Sequence, residues 1–295
     1  MTGQDSFQYN AATIIIPGIS YGVSKTALAP IERIKLLLQC QPELLKQNQL
    51  KNNYTGIINC LKQIKQTEGL ISLWRGNSLN IIKYFPTQLF NFYCKDKILA
   101  MAYSNFYQEK DSYSKKVLLN LFSGGLTGSL SLLITYPLDF ARVRMATDVA
   151  TYRFSGINNL YRQIHSSDNL RGPYRGFGVA LFSIFFYKAL YFGLYDSYRM
   201  VASQSETPNY LVNFLMGYLV TMTAGTMTYP LDTINKRMMM TSGTGSHYKS
   251  SFDCARQIFN HEGFRSFYRG FSCNILMAGS GAFLLIGYDF VKNIQ

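Results

Sequence analysis

The chain has 295 residues, with 29 Lys+Arg against 16 Asp+Glu for a net charge of +13, yet charged residues make up only 15% of it, against roughly 25% in an average soluble domain. So few charges cover a soluble surface poorly, and 22 Tyr with 21 Phe exclude intrinsic disorder, whose chains are poor in aromatic residues. A mean hydropathy of −0.01 is polar for a membrane protein, and the placement of the charges resolves that conflict.

Residues 6–24, 117–138, 210–231 and 271–288 contain no charge, giving windows of 19, 22, 22 and 18 residues. About 20 residues cross a bilayer as a helix. Ser, Thr, Gly and Asn stud these windows, which suits helices with one side to lipid and the other to a wet cavity or a close neighbour. The first ten residues hold no Lys or Arg, so any organellar targeting is expected to be internal. The first window runs into Pro30-Ile31-Glu32, the second into Pro137-Leu138-Asp139 and the third into Pro230-Leu231-Asp232. Proline inside a helix kinks it, and an acid at membrane depth is costly unless paired.

Downstream of each Pro-x-acid comes a second repeated block. An aromatic (Tyr54, Phe154, Tyr248) stands 14 residues before an acid (Glu68, Asp168, Glu262), with Gln63-Ile64, Gln163-Ile164 and Gln257-Ile258 between them. Six residues after each acid an aromatic-basic-Gly triplet begins: Trp74-Arg75-Gly76, Tyr174-Arg175-Gly176 and Tyr268-Arg269-Gly270. Three copies in register define three repeats, 1–106, 107–205 and 206–295. Each reads as a kinked spanning helix, a loop, a short amphipathic helix and a second spanning helix, the latter over 77–101, 177–200 and 271–294. Lys83, Lys95 and Lys188 interrupt the first two of these. The fold class is therefore an all-α membrane protein, with six transmembrane helices in three tandem pairs about a pseudo-threefold axis and three short helices on one side. The loops 41–76, 146–176 and 241–270 hold five, four and four Lys+Arg, against none, three and none in 1–9, 103–116 and 200–209, an asymmetry that orients the chain. Five scattered cysteines with no CxxC spacing indicate neither a disulfide framework nor a zinc site.

The three Pro-x-acid and three aromatic-basic-Gly elements resemble the mitochondrial carrier family over the whole chain. Lys25-Thr26-Ala27, Ala29-Pro30-Ile31-Glu32-Arg33, Lys35-Leu36-Leu37-Leu38-Gln39, Tyr84-Phe85-Pro86-Thr87-Gln88, Asn91-Phe92, Tyr191-Phe192-Gly193 and Arg237-Met238-Met239-Met240 look like the ADP/ATP carriers (adenine nucleotide translocators) within it. The resemblance implies antiport by alternating access in the mitochondrial inner membrane, with both termini on the intermembrane-space side, no enzymatic reaction and no cofactor. It implies a matrix gate of Glu32, Asp139 and Asp232 with Lys35 and Arg142. The third basic position is Asn235, so Asp139 is expected to lose its partner. It implies a cytosolic gate of Asp96, Asp196 with Arg199, and Asp289 with Lys292, with Leu99 where the base beside Asp96 belongs. Substrate contacts carry over to Lys25, Lys83, Asn91, Ser183, Ile184, Tyr187, Lys188, Tyr191 and Arg237. Lys83 and Lys188 stand where the family has Arg, and Met277 where it has a further Arg. Thr55-Gly56, Ser155-Gly156, Arg75-Gly76, Arg175-Gly176 and Arg269-Gly270 resemble the family's cardiolipin sites, with Lys249-Ser250 in place of a Gly at the third.

Two functions follow from these departures. One is an exchanger of adenine nucleotide or another anion with altered specificity. The other is a carrier fold that has lost transport and serves as a structural subunit of a larger inner-membrane assembly such as a respiratory complex. A regulated proton or fatty-acid leak is a third. A nucleic-acid binder is set aside, because the basic residues form no cluster.

Overall fold

The computed structural model describes residues 3–50, 52–106, 113–149, 154–202, 210–244 and 248–277. Its elements come in the repeating order expected. Repeat 1 holds α1 (Gly3–Lys46), α2 (Ile57–Thr67), a 3-10 turn (Leu70–Trp74) and α3 (Asn77–Phe106). Repeat 2 holds α4 (Tyr113–Ala146), α5 (Ile157–Asp168), a 3-10 turn (Asn169–Tyr174) and α6 (Phe177–Ala202). Repeat 3 holds α7 (Tyr210–Met240), α8 (Ser251–Glu262), a 3-10 turn (Phe264–Tyr268) and the helical residues 271–277, α9. Pro30, Pro137 and Pro230 lie inside α1, α4 and α7.

The first helices of the three repeats, α1, α4 and α7, meet one another pairwise, while α3 packs on α4 and α6 on α7. Their last turns are buried in three parallel cores, one per repeat. Cys60 and Ile64 of α2, Leu160 and Ile164 of α5, and Cys254 and Ile258 of α8 each point inward, four residues apart on one helix face. The repeated aromatics Tyr54, Phe154 and Tyr248 sit in those same cores, so their periodicity is that of packing. All five cysteines are free and four, Cys40, Cys60, Cys254 and Cys273, are buried. Burial pushes the Cys60 and Cys254 thiols up to about 12, which suits inert packing groups.

The triplets have a mechanical role. In repeats 2 and 3 the Tyr before the proline stacks on the triplet aromatic, Tyr136 on Tyr174 and Tyr229 on Tyr268, both at 6.0 Å. Their hydroxyls donate to the carbonyls of Arg175 (2.7 Å) and Arg269 (2.9 Å). Repeat 1 has Ala29 at that position, and there Trp74 Nε1 donates to the Thr26 carbonyl at 2.8 Å instead. The glycines Gly76, Gly176 and Gly270 take φ of 80°, 84° and 80°, the left-handed region that a side chain disfavours.

The outer surface is apolar. Phe122, Leu126, Leu130 and Leu133 form an exposed stripe down α4 at helical spacing, and Phe182, Phe186, Leu215 and Leu219 are exposed on α6 and α7. By hydropathy, one stretch among the described residues, Arg171–Tyr195, is long and apolar enough to cross a membrane. On α4, Ser123, Thr127, Ser131 and Thr135 are buried, on another face of the helix from the exposed apolar stripe.

Candidate functional site

A cavity of about 560 Å³ lies between the long helices, within the range of small-molecule sites. From α3 it is lined by Lys83, Thr87 and Asn91, spaced by four on one face. From α4 come Ser131, Thr135 and Asp139, and from α6 come Ser183, Ile184, Tyr187 and Lys188. Gly225, Thr228, Tyr229 and Asp232 of α7 and Asn274 of α9 complete the wall. Six of the expected substrate residues are thus brought together: Lys83, Asn91, Ser183, Ile184, Tyr187 and Lys188. Thr87, Ser131, Thr135 and Thr228 were not among the expected contacts; the last three stand in charge-free windows studded with small hydroxyls, and Thr87 in the Tyr84-Phe85-Pro86-Thr87-Gln88 motif. The Ser131 hydroxyl is buried without a hydrogen-bond partner among the described residues, so a polar group in the cavity would satisfy it. A Cβ on Gly128 would come within 2.9 Å of Lys188 Nζ, so this glycine makes the space that the ammonium fills.

Three expected contacts lie elsewhere. Lys25 is outside the cavity lining and reaches Glu32 Oε1 at 2.5 Å. Tyr191 is also outside it and stacks between Tyr187 (6.2 Å) and Tyr195 (6.1 Å). Arg237 is fully buried beyond the cavity floor, and the expectation of a cavity cation there is corrected. It forks onto the Glu262 carboxylate, with one bond of 2.9 Å and a second, shorter one, and donates to Ser266 Oγ at 2.9 Å. The reason is position: Arg237 lies five residues past Asp232, where α7 has already entered the repeat-3 core. Arg33 does the same for repeat 1, reaching Glu68 Oε2 at 2.8 Å and the carbonyls of Ser72 (2.6 Å) and Ala146 (2.9 Å). Asp168, the acid of repeat 2, instead accepts from Ser242 Oγ (3.1 Å) and the Gly243 amide (3.0 Å). Burial alone would raise the Glu262 carboxyl, but the Arg237 hydrogen bonds and charge outweigh it and hold the group below the usual carboxylate range.

The floor of the cavity carries ion pairs that join α1 to α4 and α1 to α7. Arg142 bonds Glu32, which also accepts from Asn80 Nδ2 at 3.1 Å. Lys35 reaches Asp232 at 3.3 Å, braced by Gln39 Nε2 at 3.2 Å from the same oxygen and by Lys236 at 3.7 Å. Asp139 is not left alone: Lys83 of α3 bonds its Oδ1 at 2.6 Å, which corrects the expectation of a missing partner. Asn235 spends its amide on Tyr136, whose hydroxyl lies 2.7 Å from Asn235 Oδ1.

Of the expected cytosolic gate, the side chains of Asp96, Asp196 and Arg199 and the whole of Asp289 and Lys292 lie outside the described residues. The triplet arginines are engaged on neighbouring chain. Arg75 reaches the Asp148 carbonyl (3.0 Å) and Oδ2 (3.2 Å), Arg175 reaches Thr241 Oγ1 (3.2 Å) and Arg269 reaches Glu262 (3.4 Å). Gly56 and Gly156 begin α2 and α5 with no side-chain cap, next to Thr55 and Ser155. At α8, Ser250 Oγ accepts from the Asp253 amide (3.1 Å) and Asp253 Oδ2 from the Lys249 amide (2.9 Å).

A family model described as "Mitochondrial carrier protein" matches residues 7–106, 113–206 and 206–295. The chain is 47% identical over 282 residues to the "ADP,ATP carrier protein" of Schizosaccharomyces pombe, covering 93% of this chain and 87% of that one. It is 42% identical over 291 residues to "ADP,ATP carrier protein 3" of Saccharomyces cerevisiae, covering 96% and 94%. With "ADP,ATP carrier protein 2, mitochondrial" of Arabidopsis thaliana it shares 44% over 300 residues, covering 99% and 77%. Three matched repeats and full-length similarity at this level leave one assignment: the chain belongs to the mitochondrial carrier family.

Proposed function

We propose that the protein is an adenine nucleotide exchanger of the mitochondrial inner membrane, a transporter of six spans with both termini on the intermembrane-space side. The observation that carries the reading is the cavity walled by Lys83, Lys188 and Tyr187 above the ion pairs that tie α1 to α4 and α7. Two ammonium groups answer phosphate charge, the tyrosine presents an aromatic face to a base, and the ion pairs tying α1 to α4 and α7 beneath the cavity fit one end state of alternating access. Relatives named as ADP/ATP carriers support nucleotide as the substrate. The exposed apolar stripes and hydroxyl-lined interior support the six-span arrangement, since they sort lipid from water without a high mean hydropathy. Reconstituted into liposomes loaded with ADP, the protein is expected to take up labelled ATP only when counter-substrate is inside. Uptake no faster than from protein-free liposomes would refute the exchanger.

Cardiolipin belongs to this reading at two of the three positions. The uncapped starts of α2 at Gly56 and α5 at Gly156 offer backbone N–H groups to a phosphate. The start of α8 has its amides filled by Ser250 and Asp253, and the acid repels an anion.

A second reading rests on one observation: the cavity wall carries Asp139 and Asp232 beside Lys83 and Lys188, a formal charge of zero, with Met277 on α9 in place of a base. A nucleotide bearing three or four negative charges wants more. On this reading the carrier fold persists as a structural subunit of a respiratory complex. The liposome measurement separates the two, because the subunit gives no exchange and instead co-purifies with such a complex in mild detergent.

A further inference from the structure

At the end of the molecule that holds α2, α5 and α8, the triplet arginines stitch one repeat to the next. The partner positions are equivalent: Gln41, Asp148 and Thr241 each stand eleven residues after the proline that kinks the first helix of their repeat. Arg75 of repeat 1 crosses to repeat 2, donating to the Asp148 carbonyl at 3.0 Å and to Oδ2 at 3.2 Å. Arg175 of repeat 2 crosses to repeat 3, donating to Thr241 Oγ1 at 3.2 Å. Among the described residues no bond makes the third stitch, from Arg269 to Gln41. Arg269 turns back to Glu262 of its own repeat at 3.4 Å, and Gln41 donates to Asn53 of its own repeat at 3.2 Å. At this seam lies a cavity of about 290 Å³, lined by Gln41, Lys46 and Asn53 from repeat 1 and His261, Glu262 and Arg269 from repeat 3.

The lining suits an anion. The Lys46 and Arg269 side chains are 55% and 43% exposed, so their charged heads are open to a ligand. The carboxylate in the wall, Glu262, has its oxygens taken by Arg237 and by Ser266. The other acid close by, Glu43, is buried and outside the lining, where it accepts from Tyr248 and Lys46. Three cations, Lys46, Arg237 and Arg269, therefore stand against two carboxylates, and the amides of Gln41 and Asn53 add neutral donors. We propose that this cavity is a binding site for a phosphate group, whose oxygens bridge Arg269 of repeat 3 to Lys46 and Gln41 of repeat 1 and so supply the third stitch. A guanidinium fork and an ammonium are strong donors to phosphate oxygens, and the ligand brings the negative charge that repeat 2 carries as Asp148. The site shares no lining residue with the central cavity, and it stands whether or not the protein exchanges nucleotide. Free phosphate and the phosphate of a lipid headgroup present the same chemistry here.

The test uses purified full-length protein in detergent, with inorganic phosphate as the probe and chloride at equal ionic strength as the reference. Saturable binding in calorimetry and a raised unfolding temperature are expected. Arg269→Gln and Lys46→Gln are each expected to weaken phosphate about tenfold or more, the worth of one charge-assisted bond. Their ligand-free stability should hardly change, because both side chains are exposed. Gln41→Glu gives repeat 1 the acid that repeat 2 has at Asp148. It is expected to pair with Arg269, raise the ligand-free unfolding temperature and abolish the phosphate response. Should Gln41→Glu fail to fold, the two exposed variants carry the test. Cardiolipin added in place of phosphate separates the sources. Displacement of phosphate by the lipid, with the lipid's effect lost in Arg269→Gln, assigns a headgroup; additive effects assign the free anion, and either outcome keeps the site. No saturable response to phosphate or to cardiolipin overturns the proposal. So does a phosphate response that survives both Arg269→Gln and Lys46→Gln, or one that Lys188→Gln removes, which places the anion in the central cavity. None of these outcomes touches the exchanger reading, which the liposome measurement decides.

Discussion

Replacing Arg33 with alanine is expected to destabilise the protein by about 3–5 kcal/mol, the range for breaking a buried ion pair by removing one partner. Arg33 is 1% exposed, and the Glu68 side chain it bonds is fully buried. Its other bonds go to the Ser72 and Ala146 carbonyls, so the residue joins α1 to the turn before α3 and to the end of α4. Truncation leaves a buried carboxylate without its cation and takes a donor from both carbonyls, of which that of Ser72 keeps the Arg75 amide. Arg33→Met with Glu68→Gln removes the orphaned charge and should recover part of the loss; the two carbonyls keep it from recovering all. Arg269→Ala is the contrast. That side chain is 43% exposed and 3.4 Å from Glu262, and an exposed pair is worth about 0–1 kcal/mol. Thermal unfolding in detergent followed by Trp74, the single tryptophan, measures all three. Equal losses for Arg33→Ala and Arg269→Ala would contradict the assignment.

Gly76→Ala is expected to cost about 2–5 kcal/mol, combining a left-handed backbone with overpacking. Gly76 holds φ at 80°, and a Cβ there would meet the Arg142 carbonyl oxygen at 2.9 Å and Ala146 at 3.3 Å. The obstacle is backbone of α4, which has no rotamer to change. The effect reaches the cavity floor as well, because Arg142 bonds Glu32 there, and pushing its carbonyl shifts the helix that carries it. Gly56→Ala is the control: its φ of 168° is extended and nothing lies within 4 Å of the added carbon, so unfolding should be unchanged. Loss of stability at Gly56 equal to that at Gly76 would mean that the close approach to α4 is not the cause.

Much of the architecture was legible because it is written three times. One Tyr, one acid and one triplet mean little alone; three copies in register predicted the order of elements in every repeat. The resemblance to the ADP/ATP carriers, not the repetition, led to Lys83, Asn91 and Lys188 on the cavity wall. Two errors, at Arg237 and at Asp139, share a cause. Both concern which partner a charged side chain reaches, and that partner sits on another helix, 25 residues away for Arg237 and Glu262 and 56 for Lys83 and Asp139. Repeat register says which residues are equivalent, not how far a helix has descended when it presents them.

The sequence by itself determined the family, the three-repeat plan and the carboxylates that follow the three kinked prolines, because each is a local pattern of residues and spacing. Tertiary structure alone decided that Asp139 pairs with Lys83 of α3 and that Arg237 is bound to Glu262. The physical reason is reach: a carboxylate in a poorly solvated site pairs with whichever cation the packed helices bring within a few ångströms, and a long lysine stem from a neighbouring helix reaches Asp139 where the repeat-3 motif offers Asn235 instead of a base.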